Sequence, residues 1–327
     1  MYKANQLLYL SASDVSSLNM TMTDIIALLE EAFVEKGNGS VQALPKIELH
    51  PQLDANFINA LVCSFPKYHA AGIKWISAYP SNKEKGLPYL SGLVILNNPD
   101  NGMPVAVMEA GVITALRTGA VTGLAAKYLA RPDSECAAIL GCGVQARTQL
   151  EAILAACGKL KLIKAYDVAP AIRDVFIREM SERFQIEVQA VSSPRDAVID
   201  SDIIITAGPI FKQPQPVIEA SWLKEGCFGA PIDYDSYWQQ SAFEAATRIY
   251  VDDVDQFEHH RQFGYFRTVP PVFGDLGQLI SGQIVGRKNQ SEIIIAINLG
   301  LSLEDIAVGA LVYRLALQKG IGLVLPH

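Results

Sequence analysis

The chain has 327 residues, of which 50% are hydrophobic and 19% are charged, and its formal net charge at pH 7 is −7. This composition is typical of a folded α/β protein of about two domains, and it excludes a disordered or fibrous chain. Because the mild negative charge leaves no basic stripe that could neutralise a run of phosphates, we do not expect nucleic acid as a partner.

The first third of the chain predicts one helix followed by a sheet. The helix spans residues 23–36, where apolar residues recur at helical spacing behind Thr23 and Asp24, which we expect to cap it. Short apolar runs broken by proline and glycine then predict strands at 46–49, 57–64, 72–78, 92–96 and 103–108. The turn at 97–102 joins the last two, so we expect a sheet of hairpins.

The pattern changes after a helix predicted at 114–129. Strands predicted at 137–140, 162–166, 187–191, 202–206, 227–230 and 248–251 alternate with helical segments. Such alternation favours a parallel sheet covered by helices on both faces. A final helix is predicted at 302–319, with Ser302 as its cap and Gly320 after its end.

A glycine turn connects the strand at 137–140 to the helix that begins at Val144. The first glycine, Gly141, allows a tight turn, Gly143 lets the backbone approach a pyrophosphate, and Ala146 allows close packing of helix on strand. The N-terminus of the helix then faces the phosphate charge. This spacing, in this strand–turn–helix context, predicts a dinucleotide-binding Rossmann domain.

Asp167 follows the next predicted strand. A carboxylate at this place accepts hydrogen bonds from the adenosine ribose and repels a 2′-phosphate, which favours NAD over NADP. Because Ala169 and Pro170 begin the next helix, Asp167 is also in position to be a helix cap. The sequence leaves both roles open.

The cysteines and the N-terminus indicate the compartment. Five scattered cysteines form no Cys-x-x-Cys pair, so we predict no metal site and interpret them as buried apolar residues of a reducing compartment. The first ten residues lack the features of a signal peptide, and no apolar stretch of about 18 residues predicts a membrane span. We therefore expect a cytoplasmic protein.

Further motifs extend over most of the chain. They are Gly72-Ile73-Lys74-Trp75, the run from Ser91 to Leu96 with its Asn-Pro-Asp-Asn-Gly turn, Thr114 to Ala120, Gly274 to Leu279, Gly286-Arg287 and Leu303 to Ala307. With the glycine turn, they make the sequence similar to the ornithine cyclodeaminase/mu-crystallin family from about Leu7 to Gly322.

The resemblance implies a fold of the α/β class, with a Rossmann dinucleotide-binding domain inserted into a smaller α+β domain. The smaller domain, residues 1–118 with 305–327, would bind substrate and dimerise, and residues 119–304 would bind NAD. Family members act on small amino or imino acids by hydride transfer at the α-carbon. The resemblance thus implies an NAD-dependent oxidoreductase that forms a homodimer.

The resemblance also assigns candidate site residues. Lys74 and Arg117 match family contacts to the substrate, and their charges suit an α-carboxylate, which arginine can bind through two parallel hydrogen bonds. Composition alone would make Lys74 a solvent-facing residue of an edge strand, and Arg117 a phosphate clamp or a helix-surface charge. We expect Leu299 to contact the substrate, and the expected cofactor contacts are Ser91, Gly141, Gly143, Val144, Gln145, Asp167, Thr206 and Asn298.

The chain departs from the cyclodeaminase pattern at two places. Cyclodeaminases carry an acid/base aspartate in a Gly-Ala-Asp-x-Pro-Gly-Lys segment, and the stretch from Gly229 to Trp238 lacks the Pro-Gly-Lys. We expect Asp233 to transfer the proton, with Asp235 as the alternative if the alignment slips by two. A purely structural role, as a loop aspartate that caps the next helix, also stays open. Lys46 stands where cyclodeaminases have a carboxylate-binding arginine. Lysine keeps the positive charge but lacks the planar guanidinium group that can bind a carboxylate through two hydrogen bonds.

Both departures count against strict ornithine cyclodeamination. We therefore expect an amino-acid dehydrogenase or ketimine reductase, with ornithine cyclodeaminase (L-ornithine to L-proline plus ammonia) as one alternative and a non-enzymatic, mu-crystallin-like binding protein as another. We interpret His259 and His260 as a solvated helix face, because adjacent helical residues point about 100° apart. Three aromatic residues, Tyr234, Tyr237 and Trp238, remain either a substrate wall or core.

Overall fold

The computed structural model describes residues 6–51, 56–211 and 213–326, which form two compact units. Unit 1 comprises Met1–Arg117 with Gly300–His327, and unit 2 comprises Thr118–Leu299. The division expected from the sequence lay between residues 304 and 305. The observed one lies earlier because the whole of the final helix belongs to unit 1, where it packs on the sheet.

The elements follow the chain in this order. The strands are β1 (Gln6–Leu10), β2 (Gln42–Ala43), β3 (Ile47–Leu49), β4 (Phe57–Phe65), β5 (Ala70–Ala78), β6 (Leu90–Asn97), β7 (Pro104–Glu109), β8 (Cys136–Leu140), β9 (Leu162–Tyr166), β10 (Glu187–Ala190), β11 (Ile203–Thr206), β12 (Phe228–Pro231), β13 (Arg248–Val251), β14 (Gly274–Asp275), β15 (Ile294–Ile297) and β16 (Leu323–Pro326). The helices are α1 (Ala12–Ser17), α2 (Met22–Gly37), α3 (Ala110–Leu129), α4 (Val144–Ala156), α5 (Pro170–Phe184), α6 (Pro194–Val198), α7 (Gln240–Glu244), α8 (Val254–Gln262), α9 (Leu276–Ile280) and α10 (Ser302–Lys319).

Unit 1 is built on a mostly antiparallel sheet in the order β16-β1-β7-β6-β5-β4-β2, with β3 also paired to β4. Strands β4 to β7 confirm the predicted hairpins, and β1 joins β7 in parallel. Helix α10 packs on β4, β5 and β6 and also contacts α2. Alternation along β5 turns Lys74 and Ile76 to the buried side and Trp75 to the other face.

Unit 2 is a parallel sheet in the order β10-β9-β8-β11-β12-β15-β13-β14. The predicted parallel sheet is thereby confirmed. The strand order reverses between β8 and β11, and in open parallel sheets ligands bind outside the carboxyl ends at such a point. Strand β15 was missed because a short apolar run cannot be distinguished by periodicity from a buried helical segment.

Two predicted helix caps are wrong. Thr21 caps α2 by accepting a hydrogen bond from the backbone N–H of Asp24, so the helix begins before Thr23. Ser302 is the first residue of α10, whose N-cap is Leu301 and has no side-chain bond. None of the helices in the three described ranges combines the length and apolar character needed to cross a bilayer.

Candidate active site

The glycine turn lies at the carboxyl edge of the unit 2 sheet. Gly141 has φ +90°, and a Cβ there would lie 2.8 Å from the carbonyl carbon of Ala207. Both the backbone conformation and the lack of space therefore require glycine. Gly143 is the N-cap of α4 and provides no side-chain cap, and a Cβ built on it would meet no atom within 4 Å. The first N–H groups of α4 thus lack a capping side chain, as an anion site at a helix N-terminus requires.

Asp167 ties the end of β9 to this turn. Its Oδ2 accepts a hydrogen bond of 2.7 Å from the backbone N–H of Cys142, and its Oδ1 accepts one of 2.8 Å from Ala169. The N-cap of α5 is Ala169, with no side-chain cap bond, so the helix-cap role is wrong. The half-buried carboxylate keeps further lone pairs beside the glycine turn, where ribose hydroxyls could donate.

A hydrogen-bonded chain joins the ends of β11 and β12. The Trp238 indole N–H donates to Thr206 Oγ1 at 3.0 Å, and the Thr206 hydroxyl donates to Asp233 Oδ1 at 2.6 Å. The other oxygen, Asp233 Oδ2, accepts from the Gly208 backbone N–H at 2.9 Å. Asp233 is fully buried, and burial raises its pKa to about 7. Both of its oxygens are therefore engaged within unit 2.

Asp235 has a different environment. Its Oδ2 accepts a hydrogen bond of 2.8 Å from the Phe266 backbone N–H, and burial raises its pKa. Its Oδ1 is buried without a hydrogen-bond partner among the described residues. Of the two aspartates that follow β12, only this one has an oxygen without a partner among the described residues.

The other expected cofactor contacts are dispersed. Asn298 follows β15 at the same carboxyl edge; it is only 5% exposed, and neither amide atom has a partner in the described ranges. Val144 is exposed at the first position of α4, and Gln145 beside it has a buried, unpartnered Oε1. An unsatisfied buried amide calls for a ligand or a water, so this edge fits a dinucleotide. Ser91 lies exposed on β6 of unit 1 and stays a prediction.

Four buried charges form a cluster in unit 1. Lys74 Nζ lies 2.7 Å from Asp305 Oδ1, and Arg117 contacts Glu304 Oε2 at 2.6 Å and Asp305 Oδ1 at 3.1 Å. Burial and the nearby guanidinium lower the pKa of Lys74 to about 8, and burial raises the pKa of Glu304. Lys74 is thus not the solvent-facing lysine that composition suggests. Sequence reasoning missed Glu304 and Asp305, although two acidic residues in the first turn of a buried helix are a readable signal.

Lys46 adds a third buried cation on the same side of the sheet. It comes directly before β3, where Ile47 pairs with Ala60, and the adjacent Leu61 pairs with Lys74. Lys46 is buried whereas Ile47 is exposed, as alternation requires. This face of the sheet therefore carries three buried cations, Lys46, Lys74 and Arg117.

Gly300 fixes the position of Arg117. The glycine has φ +83°, and a Cβ built on it would collide with the Arg117 guanidinium. Leu299, the expected substrate contact, precedes it and is buried at the end of unit 2. The sequence Leu299-Gly300 therefore needs its glycine both for backbone conformation and for space.

The histidine pair is not a solvated face. His260 is buried on α8, where its ring lies edge-to-face with Tyr234 at a centroid distance of 5.6 Å. Tyr234 and Trp238 are core residues, and Tyr237 is half-buried. Among residues 6–51, 56–211 and 213–326, no group of three or more His, Cys, Asp or Glu side chains is arranged to hold a metal ion.

Comparison with known proteins identifies a family and similar sequences. The model of the ornithine cyclodeaminase/mu-crystallin family matches residues 6–320. The alanine dehydrogenase of Archaeoglobus fulgidus is 35% identical over 323 residues, covering 96% of this chain and 97% of the relative.

Two solved structures are similar over nearly their whole length. The Δ1-pyrroline-2-carboxylate reductase of Thermococcus litoralis, in complex with NADH and L-proline, superimposes with a TM-score of 0.88 at 32% identity, covering 97% of this chain and 99% of that one. An archaeal alanine dehydrogenase dimer with bound NAD gives a TM-score of 0.86 at 32% identity, covering 98% and 99% of the two chains.

Proposed function

The chain belongs to the ornithine cyclodeaminase/mu-crystallin family, and from that premise we propose that it is an NAD-dependent oxidoreductase acting at the α-carbon of a small amino or imino acid. The observation that carries the proposal is the uncapped glycine turn with the Asp167 carboxylate bonded to it. The relatives that bind NADH with L-proline, or NAD, support the same assignment.

Unit 2 would hold the dinucleotide. The N–H groups at the start of α4 would bind the pyrophosphate, together with Val144 and Gln145, and Asp167 would accept from the adenosine ribose and disfavour a 2′-phosphate. Asn298 would supply the amide donor and acceptor that are unpartnered in the described residues. When bound, NAD provides the hydride acceptor or, reduced, the hydride donor.

Unit 1 would hold the substrate carboxylate. Lys74 and Arg117 are fixed by Asp305 and Glu304, so they orient the site while their charges are largely matched. Lys46 is a further buried cation on the same face of the sheet, and cationic side chains suit a substrate carboxylate.

For proton transfer we favour Asp235, the alternative from the sequence, over Asp233. Asp233 uses both oxygens to hold Thr206 and Gly208, which is a positioning role. Asp235 has an oxygen without a partner among the described residues, and burial raises its pKa, which is the direction that a carboxylic general acid needs.

We expect the purified protein to oxidise NADH with at least one of a panel of 2-oxo acids plus ammonia or methylamine, or with Δ1-pyrroline-2-carboxylate. NAD reduction with L-alanine and L-proline tests the reverse direction, and absorbance at the NADH band reports both. Gly141→Val is the matched control, since it crowds Ala207 and should abolish NADH binding.

The outcomes separate the alternatives. Silence across the panel with tight NADH binding would favour a binding protein. Ammonia release from L-ornithine without net NADH change would favour a cyclodeaminase. Absence of NADH binding would overturn the cofactor assignment itself.

A homodimer is part of this proposal, and one face of the unit 1 sheet supports it. Ile47, Trp75 and Leu93 are exposed apolar side chains in one row of that face, joined by the pairs Ile47 to Ala60 to Trp75 to Leu93. Contiguous exposed apolar rows mark interaction surfaces, and the archaeal relative is a dimer.

The cysteines bear on the location of the protein. Free thiols on all five cysteines suit a reducing, cytoplasmic location.

We expect the double substitution Trp75→Glu, Leu93→Lys to convert the dimer to a monomer in light scattering coupled to size exclusion. Ile172→Glu, an exposed apolar residue on α5 of unit 2, is the control and should leave the mass unchanged. A wild-type protein that is monomeric at micromolar concentration, or a double variant that remains dimeric, would argue against this interface.

A further inference from the structure

The segment that stands in place of the family's Pro-Gly-Lys folds over the carboxyl edge of the unit 2 sheet. Its aromatic side chains pack directly on glycine backbone. A Cβ on Gly208 would lie 2.6 Å from Tyr237 Oη and 2.7 Å from its Cε2, and a Cβ on Gly229 would lie 2.6 Å from Trp238 Cη2. Because these two glycines have no side chains, the rings of Tyr237 and Trp238 can pack against their backbone.

Tyr237 brings its hydroxyl to the point where the strand order reverses. Gly208 follows β11, and the Cβ position of Gly141 lies 2.9 Å from the Gly208 nitrogen, so the turns after β8 and β11 are in contact here. The ring is held from the side by Phe211, at a centroid distance of 5.8 Å. The hydroxyl thus lies over the two turns that border the dinucleotide edge.

The Tyr237 hydroxyl is available for a ligand. It makes no hydrogen bond within the described residues, and the residue is half-buried rather than sealed in the core. Burial, with the Asp233 and Asp167 carboxylates, raises its pKa above the usual tyrosine value. The hydroxyl therefore stays protonated at neutral pH and can donate a hydrogen bond.

We propose that the Tyr237 hydroxyl donates a hydrogen bond to the pyrophosphate of the bound dinucleotide. The glycine turn beside it is the part of the fold that receives phosphate, and a hydroxyl group can donate a hydrogen bond to an anion. The hydroxyl supplies a side-chain donor opposite the N–H groups of α4. This inference rests on the proposed NAD-binding function.

The test compares Tyr237→Phe with the wild-type protein in titrations with NADH, ADP-ribose and adenosine. Removing the hydroxyl should raise the Kd of NADH and of ADP-ribose about tenfold, as loss of a hydrogen bond to a charged group does. The Kd of adenosine and the melting temperature should be unchanged, because no intramolecular bond among the described residues is lost. Tyr68→Phe, which removes a surface hydroxyl bonded to Glu31 in unit 1, is the control and should bind all three ligands as the wild type does.

Each failure is distinguishable. Equal NADH affinity of Tyr237→Phe and wild type would overturn the Tyr237 assignment and leave the proposed function intact. Equal weakening of adenosine and ADP-ribose would place the hydroxyl at the nucleoside and also overturn it. A wild-type protein that binds no NADH would overturn the proposed function and this inference together.

Discussion

Replacing Lys74 by methionine is expected to lower the free energy of unfolding by about 3 kcal/mol, because it leaves the buried Asp305 carboxylate without its nearest cation. The loss falls at the lower end of what breaking a buried pair costs, since Arg117 Nε still lies 3.1 Å from the same oxygen. Urea unfolding followed by far-UV circular dichroism measures the change.

The double variant Lys74→Met, Asp305→Leu is the matched control for this prediction. Removing both charges leaves no uncompensated ion, so it should recover part of the lost stability, and the double-mutant cycle should give a coupling free energy of about 1–3 kcal/mol. Both variants should lose amino-acid turnover if Lys74 contacts the substrate. A Lys74→Met protein as stable as the wild type would show that the pair is not the anchor that its geometry indicates.

Asp235→Asn is expected to lower kcat by about 10²–10⁴, the range that a positioned acid/base group contributes, with the Kd of NADH unchanged. Asp233→Asn should act differently. An asparagine amide cannot accept from both the Thr206 hydroxyl and the Gly208 N–H, so the turn after β11 should shift and the Kd of NADH should rise. Steady-state kinetics and NADH titration on both variants separate the two roles.

The pH dependence of stability gives Asp233 an independent check. Its folded pKa of about 7 lies above the ordinary value of 3.8, so its contribution to stability is full below about pH 4 and is lost as the pH rises through about 7. The difference in unfolding free energy between wild type and Asp233→Asn should therefore shrink from pH 4 to pH 7. A kcat loss in Asp233→Asn with unchanged NADH affinity, beside an active Asp235→Asn, would return the proton-transfer role to Asp233.

The local architecture could be predicted from the sequence because short-range physics sets it. Period-two alternation located β4 to β7, and the strand before Gly141 with the helix after Gly143 located the dinucleotide turn. These signals need only neighbouring residues and the conformational freedom of glycine. Caps were less well predicted, as Thr21 and Ser302 show, since several polar residues compete at each helix end.

The charged cluster and the aspartate environments were decided by the tertiary structure. Lys74 and Asp305 are separated by 231 residues, and Arg117 and Glu304 by 187, so no local pattern pairs them. Two aspartates two positions apart look alike in sequence, yet one has both oxygens hydrogen-bonded and the other has one oxygen without a partner in the described part of the chain. By itself the sequence determined the family, the Rossmann turn and most strands, because these depend on residues close in the chain. The partner of each buried charge depends on which distant segments the packed sheets bring together, and only the tertiary structure specifies that.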